Sequence, residues 1–326
     1  MTPYKEFRAH VARTAVRITF PILSVVVAAC DDHPTAPLAD AHAPEGASLA
    51  KGAKPGAPAI AFSLNGANGQ NLFVIDTFGT NLVQLTDASV DDNPAWSPDR
   101  RKIAFVRGDG MDREIYVKAL KGGRETRVGP GHQPSWSPDG TRLAFSWIVD
   151  GNQDVYVMNV DGSDVRRLTT DAGYDSEPHW AADGQSIAFT STRTGSSDVF
   201  VMKPDGSVQT RRTFCAPLYY CASPKFAPHV GDFRILFYQG TVSGSGAPAL
   251  SAIRAIDTNG DVVMSIDGAL VLGHPTWSPD AQRFAFVGQS AAQVTPVIYV
   301  AKYEGPGVNY MPVTLGAAVG SPTWAR

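Results

Sequence analysis

A step of proline, any residue and an aromatic residue recurs six times along the 326-residue chain, and it limits the possible folds more than any other feature. Successive aromatic residues of this step lie 40, 44, 46, 51 and 47 positions apart. Such a period is typical of the blades of a β-propeller rather than of helical solenoids or coiled coils. The six copies are Pro94-Ala95-Trp96, Pro134-Ser135-Trp136, Pro178-His179-Trp180, Pro224-Lys225-Phe226, Pro275-Thr276-Trp277 and Pro322-Thr323-Trp324.

Each copy reads as the first strand of a four-stranded antiparallel unit. In the clearest copies a turn such as Ser137-Pro138-Asp139-Gly140 follows, because proline presets φ, aspartate binds nearby amides and glycine tolerates positive φ. A short apolar run after the turn predicts the second strand. Asp-Gly or Asn-Gly steps then turn the third strand into a fourth, and third strands are predicted over residues 114–118, 154–158, 198–202 and 297–301.

The last copy of the step predicts how the ring closes. Only two residues follow Trp324, so the other three strands of its blade must come from elsewhere in the chain. Residues 59–63, 71–75 and 81–85 have the required pattern. The sequence therefore predicts an all-β fold, a six-bladed β-propeller of four-stranded antiparallel blades, with the ring closed by one blade shared between the N- and C-termini.

These motifs resemble the TolB-like propeller repeat, a blade family related to WD repeats, over about residues 58–326. The resemblance is strongest in the copies at Trp96 and Trp136, and it is weakest at Phe226, where the usual turn sequence is replaced. It implies a periplasmic propeller that contacts another envelope component, such as a peptidoglycan-associated lipoprotein. What it implies is therefore a binding role.

The first 57 residues have a different character from the repeats. Basic residues precede an apolar stretch at 18–29, which is too short to span a membrane and predicts an export signal over residues 1–29. The sequence Val27-Ala28-Ala29-Cys30 resembles a bacterial lipobox, so Cys30 is predicted to carry lipid; the alternative is an ordinary signal peptide with a chance cysteine. Residues 30–57 are rich in Ala, Pro and Gly and predict a flexible tether. We therefore expect a periplasm-facing lipoprotein of the bacterial envelope, with the inner or the outer membrane as its anchor.

Charge and cysteine content limit the expected partners. The chain has 28 basic and 31 acidic residues, and without residues 1–29 its net charge becomes about −6. No basic cluster is evident, so we expect the propeller itself to bind neither nucleic acid nor an anionic bilayer. Cys215 and Cys221 lie between the fourth and fifth copies of the repeat. In an exported protein they are expected to form a disulfide, with two free thiols as the alternative.

The loops at one mouth of the central channel are the expected place for a binding site, because loops on a rigid scaffold carry most binding residues. Carboxylates there suit a hard cation such as calcium, whereas the alternative is a solvated polar rim whose aspartates bind turn amides. We expect no cofactor, with a structural divalent cation such as calcium as the alternative. The candidate rim consists of Asp91, Asp92, Asn93, His132, Gln133, Asp175, Glu177 and His274.

Two further groups of side chains require an interpretation. His132 and His274 are predicted to occupy equivalent rim positions and to face each other across the channel, as polar rim residues or as a metal-binding or catalytic pair. The tryptophans of the repeat are predicted to fill the core. Trp147, Tyr219 and Tyr220 lie outside the repeat and are either contact residues or ordinary packing residues.

No motif in the sequence predicts a catalytic residue. Gly-x-Ser-x-Gly elbows, phosphate loops and dinucleotide-binding motifs are absent. We therefore expect a monomeric, non-enzymatic cell-envelope lipoprotein whose propeller loop face binds another protein or a cell-wall component. The alternative is a metal-assisted carbohydrate lyase or lactone hydrolase with its site at the channel mouth.

Overall fold

A computed structural model of the chain contains six four-stranded antiparallel sheets. It describes residues 59–66, 69–77, 81–87, 90–110, 112–242, 251–267, 271–289, 296–302, 310–312 and 322–325. Among these residues there is no helix with the length and apolar character needed to cross a membrane. The predicted signal peptide, the lipidation site at Cys30 and the tether lie outside the described residues.

The first three blades follow one another along the chain, except that blade 1 takes its innermost strand from the last described residues. Blade 1 comprises β24 (Thr323–Trp324), β1 (Ala59–Gly66), β2 (Gly69–Asp76) and β3 (Val83–Gln84). Blade 2 comprises β4 (Asp91–Trp96), β5 (Lys102–Arg107), β6 (Glu114–Ala119) and β7 (Glu125–Pro130). Blade 3 comprises β8 (His132–Trp136), β9 (Arg142–Val149), β10 (Asn152–Asn159) and β11 (Arg166–Arg167).

Blades 4 to 6 repeat the same order of strands, from the innermost to the outermost. Blade 4 comprises β12 (Asp175–Trp180), β13 (Ile187–Ser191), β14 (Asp198–Met202) and β15 (Thr210–Arg211). Blade 5 comprises β16 (Tyr219–Phe226), β17 (Ile235–Thr241), β18 (Ser251–Ile256) and β19 (Val262–Asp267). Blade 6 comprises β20 (Val271–Trp277), β21 (Arg283–Gly288), β22 (Val297–Lys302) and β23 (Tyr310–Pro312).

The shared blade predicted from the sequence is confirmed. Strand β24 pairs antiparallel with β1, so that Trp324 lies opposite Ile60 and Thr323 opposite Ala61. The backbone N–H of Ala325 also donates to the carbonyl of Ala59 at 2.9 Å. These hydrogen bonds join the two ends of the repeat region and leave no open ring.

In blades 2, 3 and 6 the turn after the inner strand is built by a serine and an aspartate, as the Ser-Pro-Asp pattern predicts. In blade 3 the Ser137 hydroxyl lies 2.6 Å from Asp139 Oδ1 and accepts the N–H of Arg142 at 2.9 Å. The same arrangement recurs at Ser97 and at Ser278. Each turn therefore satisfies its own polar groups locally, which fixes the angle between the first two strands.

The core lies between neighbouring blades, and its largest fully buried side chains are aromatic. Trp180, Phe105, Phe145 and Phe189 are fully buried. Rings on the second and third strands pair within a blade, as between Phe145 and Tyr156, whose centroids are 5.8 Å apart. Because each blade buries its face against the next, the aromatic residues of the repeat stabilise the ring as a whole.

The strand directions divide the connections between two faces. We call the face that carries the connections from first to second and from third to fourth strands the turn face. The opposite face carries the connections from second to third strands and between blades, and we call it the loop face. The predicted rim residues all lie within the first four residues of inner strands, at the loop face.

Candidate binding site at the channel mouth

Five inner strands carry a β-bulge beside the proline of the Pro-x-aromatic step. In β4, for example, the ladder register shifts between Asp92 and Ala95. The residue before each of these prolines has a left-handed backbone, with φ between 51° and 56°. Residues other than glycine rarely adopt this conformation, and a following proline restricts them further, so the backbone is strained at five equivalent positions. These residues are Asn93, Gln133, Glu177, Ser223 and His274.

All five left-handed residues line a cavity along the propeller axis, at its loop-face end. Prolines and aromatic residues of the inner strands form much of the remaining wall, and Pro98 and Pro228 lie towards the turn face. The cavity has a volume of about 90 Å³, whereas pockets for drug-sized molecules span roughly 300–1,000 Å³. The channel interior is therefore small, and its mouth is the larger surface for recognition.

Glu177 is the most highly connected of the five residues. Its carboxylate accepts hydrogen bonds from the Ser223 hydroxyl at 2.7 Å, the Ser223 backbone N–H at 2.8 Å and the Thr190 hydroxyl at 2.8 Å. Burial acts to raise the pKa of Glu177, but the positive charge of His274 and these hydrogen bonds outweigh burial and lower the pKa below its usual value. Glu177 is therefore ionised at neutral pH, and the three hydrogen bonds and His274 stabilise its negative charge.

Gln133 joins blade 3 to blade 4 in a similar way. Its side-chain oxygen Oε1 accepts the hydroxyl of Ser146 at 2.8 Å and the backbone N–H of Glu177 at 3.2 Å. Because Glu177 in turn accepts from Ser223, a chain of hydrogen bonds crosses three consecutive blades at the channel mouth. These polar side chains hold the blades in register as well as lining the cavity.

Asp91 and Asp175 lie away from the channel, although both belong to the predicted rim. Their side chains are fully buried, and each forms a salt bridge at 2.7 Å with an arginine at the end of the second strand of its blade, Arg107 or Arg193. Burial raises the pKa of Asp175, an effect that Ser191, Thr169 and Arg193 only partly offset. These two carboxylates are paired inside their blades.

Asp92 and His132 are also absent from the cavity wall. Asp92 Oδ1 accepts the Ser63 hydroxyl at 2.8 Å, which links blade 2 to blade 1. His132 is partly buried opposite Ser146, and burial, followed by the charge of Arg113, lowers its pKa. Of the eight predicted rim residues, the structure places Asn93, Gln133, Glu177 and His274 on the cavity.

The predicted equivalence of His132 and His274 is wrong. His274 immediately precedes its proline and lines the cavity, whereas His132 is two residues before Pro134 and does not. Neighbouring residues of a strand point to opposite sides, so a difference of one position moves a side chain from the channel into the sheet. The two histidines therefore do not form a pair across the channel.

The aromatic residues outside the repeat are engaged in packing. Trp147 contacts the ring of Tyr156, with centroids 5.3 Å apart. Tyr220 contacts Tyr238 at 5.6 Å, and burial together with a hydrogen bond to Tyr238 raises the pKa of Tyr220. Among the tryptophans of the repeat, Trp136, Trp180, Trp277 and Trp324 are at most 5% exposed, and Trp96 is partly buried.

An apolar loop lies between blades 4 and 5 on the loop face, and its exposed residues Phe214 and Leu218 were not predicted from the sequence. Cys215 and Cys221 are joined by a disulfide with Cα atoms 6.2 Å apart, and the N–H of Cys215 donates to Asp198 at 2.8 Å. Phe214 beside this disulfide is 77% exposed and Leu218 within it is 45% exposed. The pair of cysteines and the adjacent Tyr219 and Tyr220 pointed to this loop, but no pattern in the sequence predicted that Phe214 and Leu218 would be exposed.

Within the described part of the chain, one group of side chains has the residue types and spacing to hold a metal ion: Asp198, Cys215 and Cys221. The two sulfur atoms are bonded to each other. The Asp198 carboxylate accepts hydrogen bonds from Arg211 at 2.7 Å and from Thr213 at 3.0 Å. The disulfide and these hydrogen bonds connect neighbouring strands and loops, and they occupy the atoms that would otherwise bind a metal ion.

The fold and the channel mouth define the class of protein: a six-bladed propeller with a polar ring at one end of its axis. The chain belongs to the TolB β-propeller domain family, whose model matches residues 60–325. The family expected from the repeat motifs is confirmed.

Proteins similar to this chain carry the same family name. A TolB homologue of Chlorobaculum tepidum is 31% identical over 119 residues, which are 35% of this chain and 27% of that protein. The crystal structure of TolB from Acinetobacter baumannii superposes with a TM-score of 0.68 at 24% identity, covering 82% of this chain and 66% of that one. The match thus spans about a quarter of the curated relative and slightly less than two thirds of the solved structure.

A propeller enzyme has the same fold. Oligogalacturonate lyase from Vibrio parahaemolyticus superposes with a TM-score of 0.53 at 14% identity, covering 77% of this chain and 73% of that chain. At this identity the likeness extends to the fold alone.

Proposed function

We propose that the chain is a non-enzymatic, lipid-anchored protein of the bacterial cell envelope whose loop face binds another protein. The observation that carries this proposal is the set of five strained residues at one mouth of the channel. Strained backbone persists where the surrounding structure holds it in place, and it concentrates at functional sites. The family relationship supports a protein partner and an envelope location.

The chemistry of the mouth supports binding more than catalysis. Glu177 is the carboxylate on the cavity wall, and it accepts hydrogen bonds from three donors. Its pKa is lowered, whereas a general acid at neutral pH needs a raised pKa. The cavity of about 90 Å³ is also small for a sugar or lactone substrate.

Apolar side chains on the same face supply a surface for a partner. Phe214, Leu218 and Tyr174 are 77%, 45% and 56% exposed, and they lie on the connections around blade 4. The backbone N–H of Val242 donates to the Leu218 carbonyl at 2.9 Å, which adds the end of β17 to this surface. Exposed apolar side chains around a polar centre are typical of a protein-binding site.

Crosslinking in the envelope tests the site. The full chain would be expressed in its bacterial host with Phe214→Asp and Leu218→Asp together, and crosslinked proteins would be identified by mass spectrometry. The matched control replaces two exposed turn-face valines, Val208→Asp and Val230→Asp, which are 63% and 76% exposed. We expect one specific partner to be lost in the loop-face variant and kept in the control. Loss in both variants, or in neither, would contradict the proposal.

Lipidation is tested separately by mass spectrometry of the mature protein. Acyl chains attached at Cys30, and release of the Cys30→Ser chain from membranes, are the expected results. An unmodified Cys30, or an N-terminus created by cleavage elsewhere, would show an ordinary export signal. Metal analysis of the purified chain addresses the lyase alternative, because a stoichiometric ion lost in Glu177→Gln and His274→Ala variants would favour an enzyme.

A further inference from the structure

We propose that the turn face of blade 2 binds the anionic headgroups of a lipid bilayer. This inference deepens the proposed function and rests on the membrane anchor within it. The turn face of blade 2 lies opposite the loop face that is proposed to bind a partner. The consequence would be a fixed orientation, in which the turn face lies against the membrane and the loop face points away.

Two adjacent turns of blade 2 bring four cationic side chains together. Arg101 and Lys102 end the turn between β4 and β5, and Lys121 and Arg124 lie in the turn between β6 and β7. The N–H of Leu120 donates to the carbonyl of Arg101 at 2.9 Å, so the two turns are in direct contact. The expectation that no basic cluster is present is therefore wrong, because residues about twenty positions apart meet at one edge of the blade.

These four side chains are exposed and available to an anionic partner. None of them takes part in a salt bridge with the residues that the structure describes. The acidic residue in these turns, Asp99, accepts the Ser97 hydroxyl and the N–H of Arg101. The hydrogen bond from Ser97 lowers its pKa, and the charges of Arg101 and Lys102 help to lower it, but neither of those two side chains forms a salt bridge with it. Lys118 lies nearby but is paired with Glu125 at 2.9 Å.

The turns of blades 3, 4 and 5 on this face are more acidic. Blade 3 presents Asp161 and Asp164, and blade 5 presents Asp257 and Asp261. Blade 4 combines Lys203 with Asp183 and Asp205. Compared with these three blades, the positive surface is specific to blade 2.

The course of the chain indicates which anionic surface this patch would meet. Strand β1 starts at Ala59 on the turn face, so the 58 residues before it, including Cys30, join the propeller on this side. Ala59 and Leu120 pack against the same apolar cluster, which places the point of entry beside the basic turns. A lipid on Cys30 would therefore be connected to the propeller on the side that carries this patch, not on the loop face.

The predicted tether is too long to fix the orientation of the propeller by itself, so the patch would determine that orientation. A flexible segment of about 27 residues has a root-mean-square span of roughly 30 Å, so the tether alone leaves the propeller free to rotate. Electrostatic attraction to an anionic leaflet decays within a Debye length of about 8 Å at physiological salt. Four cations at one place thus act only when the turn face touches the membrane, and they select that orientation.

Binding to vesicles tests the patch independently of the lipid. The mature chain, without residues 1–29 and with Cys30→Ser, would be sedimented with vesicles of phosphatidylcholine alone and of phosphatidylcholine with phosphatidylglycerol. We expect binding only to the anionic vesicles. Lys121→Gln with Arg124→Gln should weaken binding about 10- to 30-fold, since each basic residue near an anionic surface contributes roughly fivefold. The matched control is Arg166→Gln with Lys203→Gln, which changes the net charge equally elsewhere.

Each outcome of this experiment decides the proposal. Binding that depends on Lys121 and Arg124, but not on the control pair, supports it. Equal loss in both variants, or no binding to anionic vesicles, would overturn it. Displacement by sodium phosphate far beyond that by sodium chloride at equal ionic strength would show a free-phosphate site instead. Because Cys30 is replaced, these results are distinct from the tests of lipidation and of the loop-face partner.

Discussion

The carboxylate of Glu177 in blade 4 accepts two hydrogen bonds from Ser223 in blade 5, one from the hydroxyl at 2.7 Å and one from the backbone N–H at 2.8 Å. The two residues are 46 positions apart and both have left-handed backbones. Their contact joins two strained positions across the boundary between blades. It explains how non-glycine residues before prolines are held in this conformation.

Replacing Glu177 by glutamine should destabilise the fold. The amide keeps the shape of the side chain but puts an N–H₂ group where one carboxylate oxygen accepts hydrogen bonds, and it removes the charge beside His274. We expect the free energy of unfolding to fall by about 1–3 kcal/mol. Urea denaturation of the variant measures this, with Asp261→Asn, an exposed turn-face carboxylate, as a control that should change little.

The effect of Glu177→Gln should depend on pH in a defined direction. The pKa of Glu177 is lowered in the folded state from an ordinary value of 4.5. Its stabilising contribution is therefore present above that value and is lost as the pH falls through the lower folded pKa. The stability difference between wild type and variant should shrink towards acid. If the stability difference between wild type and Glu177→Gln stayed constant from neutral pH to well below the ordinary pKa of 4.5, the charge of Glu177 would not contribute to stability.

Removal of the closing strand should destabilise the ring. Trp324 is 3% exposed and packs with Ile60 and Phe62 of β1. Trp324→Ala should lower the free energy of unfolding by about 3–5 kcal/mol, and deletion of residues 321–326 by at least as much. Thermal and urea unfolding measure both changes, and Tyr174→Ala, at a side chain that is 56% exposed, is the matched aromatic control. Unchanged unfolding after the deletion would contradict the role of the shared blade.

Replacing Arg193 should destabilise the fold, because the buried carboxylate of Asp175 would lose its counter-ion. Its guanidinium pairs with Asp175 at 2.7 Å and lies over the rings of Phe189 and Phe200. Arg193→Met should destabilise by about 3–5 kcal/mol, whereas Asp175→Asn in the same chain should recover part of the loss.

The pH dependence of this variant provides a separate check. Without Arg193, ionised Asp175 destabilises the folded state, and its raised folded pKa means that the penalty is relieved as the pH falls and the carboxyl takes up a proton. The exposed pair Arg166 and Asp164 is the control, because Arg166→Met should cost less than about 1 kcal/mol.

Val208 is a site where a substitution should stabilise the protein. Its φ is 56°, a region that β-branched residues disfavour, and its side chain is 63% exposed. Blade 3 has Asp164 at the corresponding position, with φ of 53°. Val208→Gly or Val208→Asn should raise the free energy of unfolding by about 1 kcal/mol, because strain is relieved without loss of packing. A destabilised Val208→Asn chain would show that the backbone there is not strained.

The architecture could be predicted from the repeats because each turn and strand is specified by residues that are close together in the sequence. The Ser-Pro-Asp turns satisfy their own hydrogen bonds, and the strands between them are short apolar runs, so the blades follow from neighbouring residues. Even the closing strand was predictable, since Trp324 lacked partners in sequence and residues 59–85 lacked a first strand. The TolB-like family followed from the same motifs.

The site was only partly predictable. Asn93, Gln133, Glu177 and His274 were predicted from their positions at the start of inner strands and line the cavity, but Ser223, which also lines it, was not predicted. It also included Asp91 and Asp175, which arginines of their own blades neutralise. Sequence spacing located the strand end but not the bulge, and the bulge decides which residue points into the channel.

The sequence by itself determined the number of blades, the turns and the closure, because these depend on contacts between residues close in the chain or on a periodic pattern. The tertiary structure decided which polar groups are free and which are paired. Glu177 meets Ser223 from the next blade, and Arg101 meets the turn of Lys121 at the opposite face. Such pairings depend on the angle and register between elements, which a β-bulge or a buried arginine changes without leaving a pattern in the sequence.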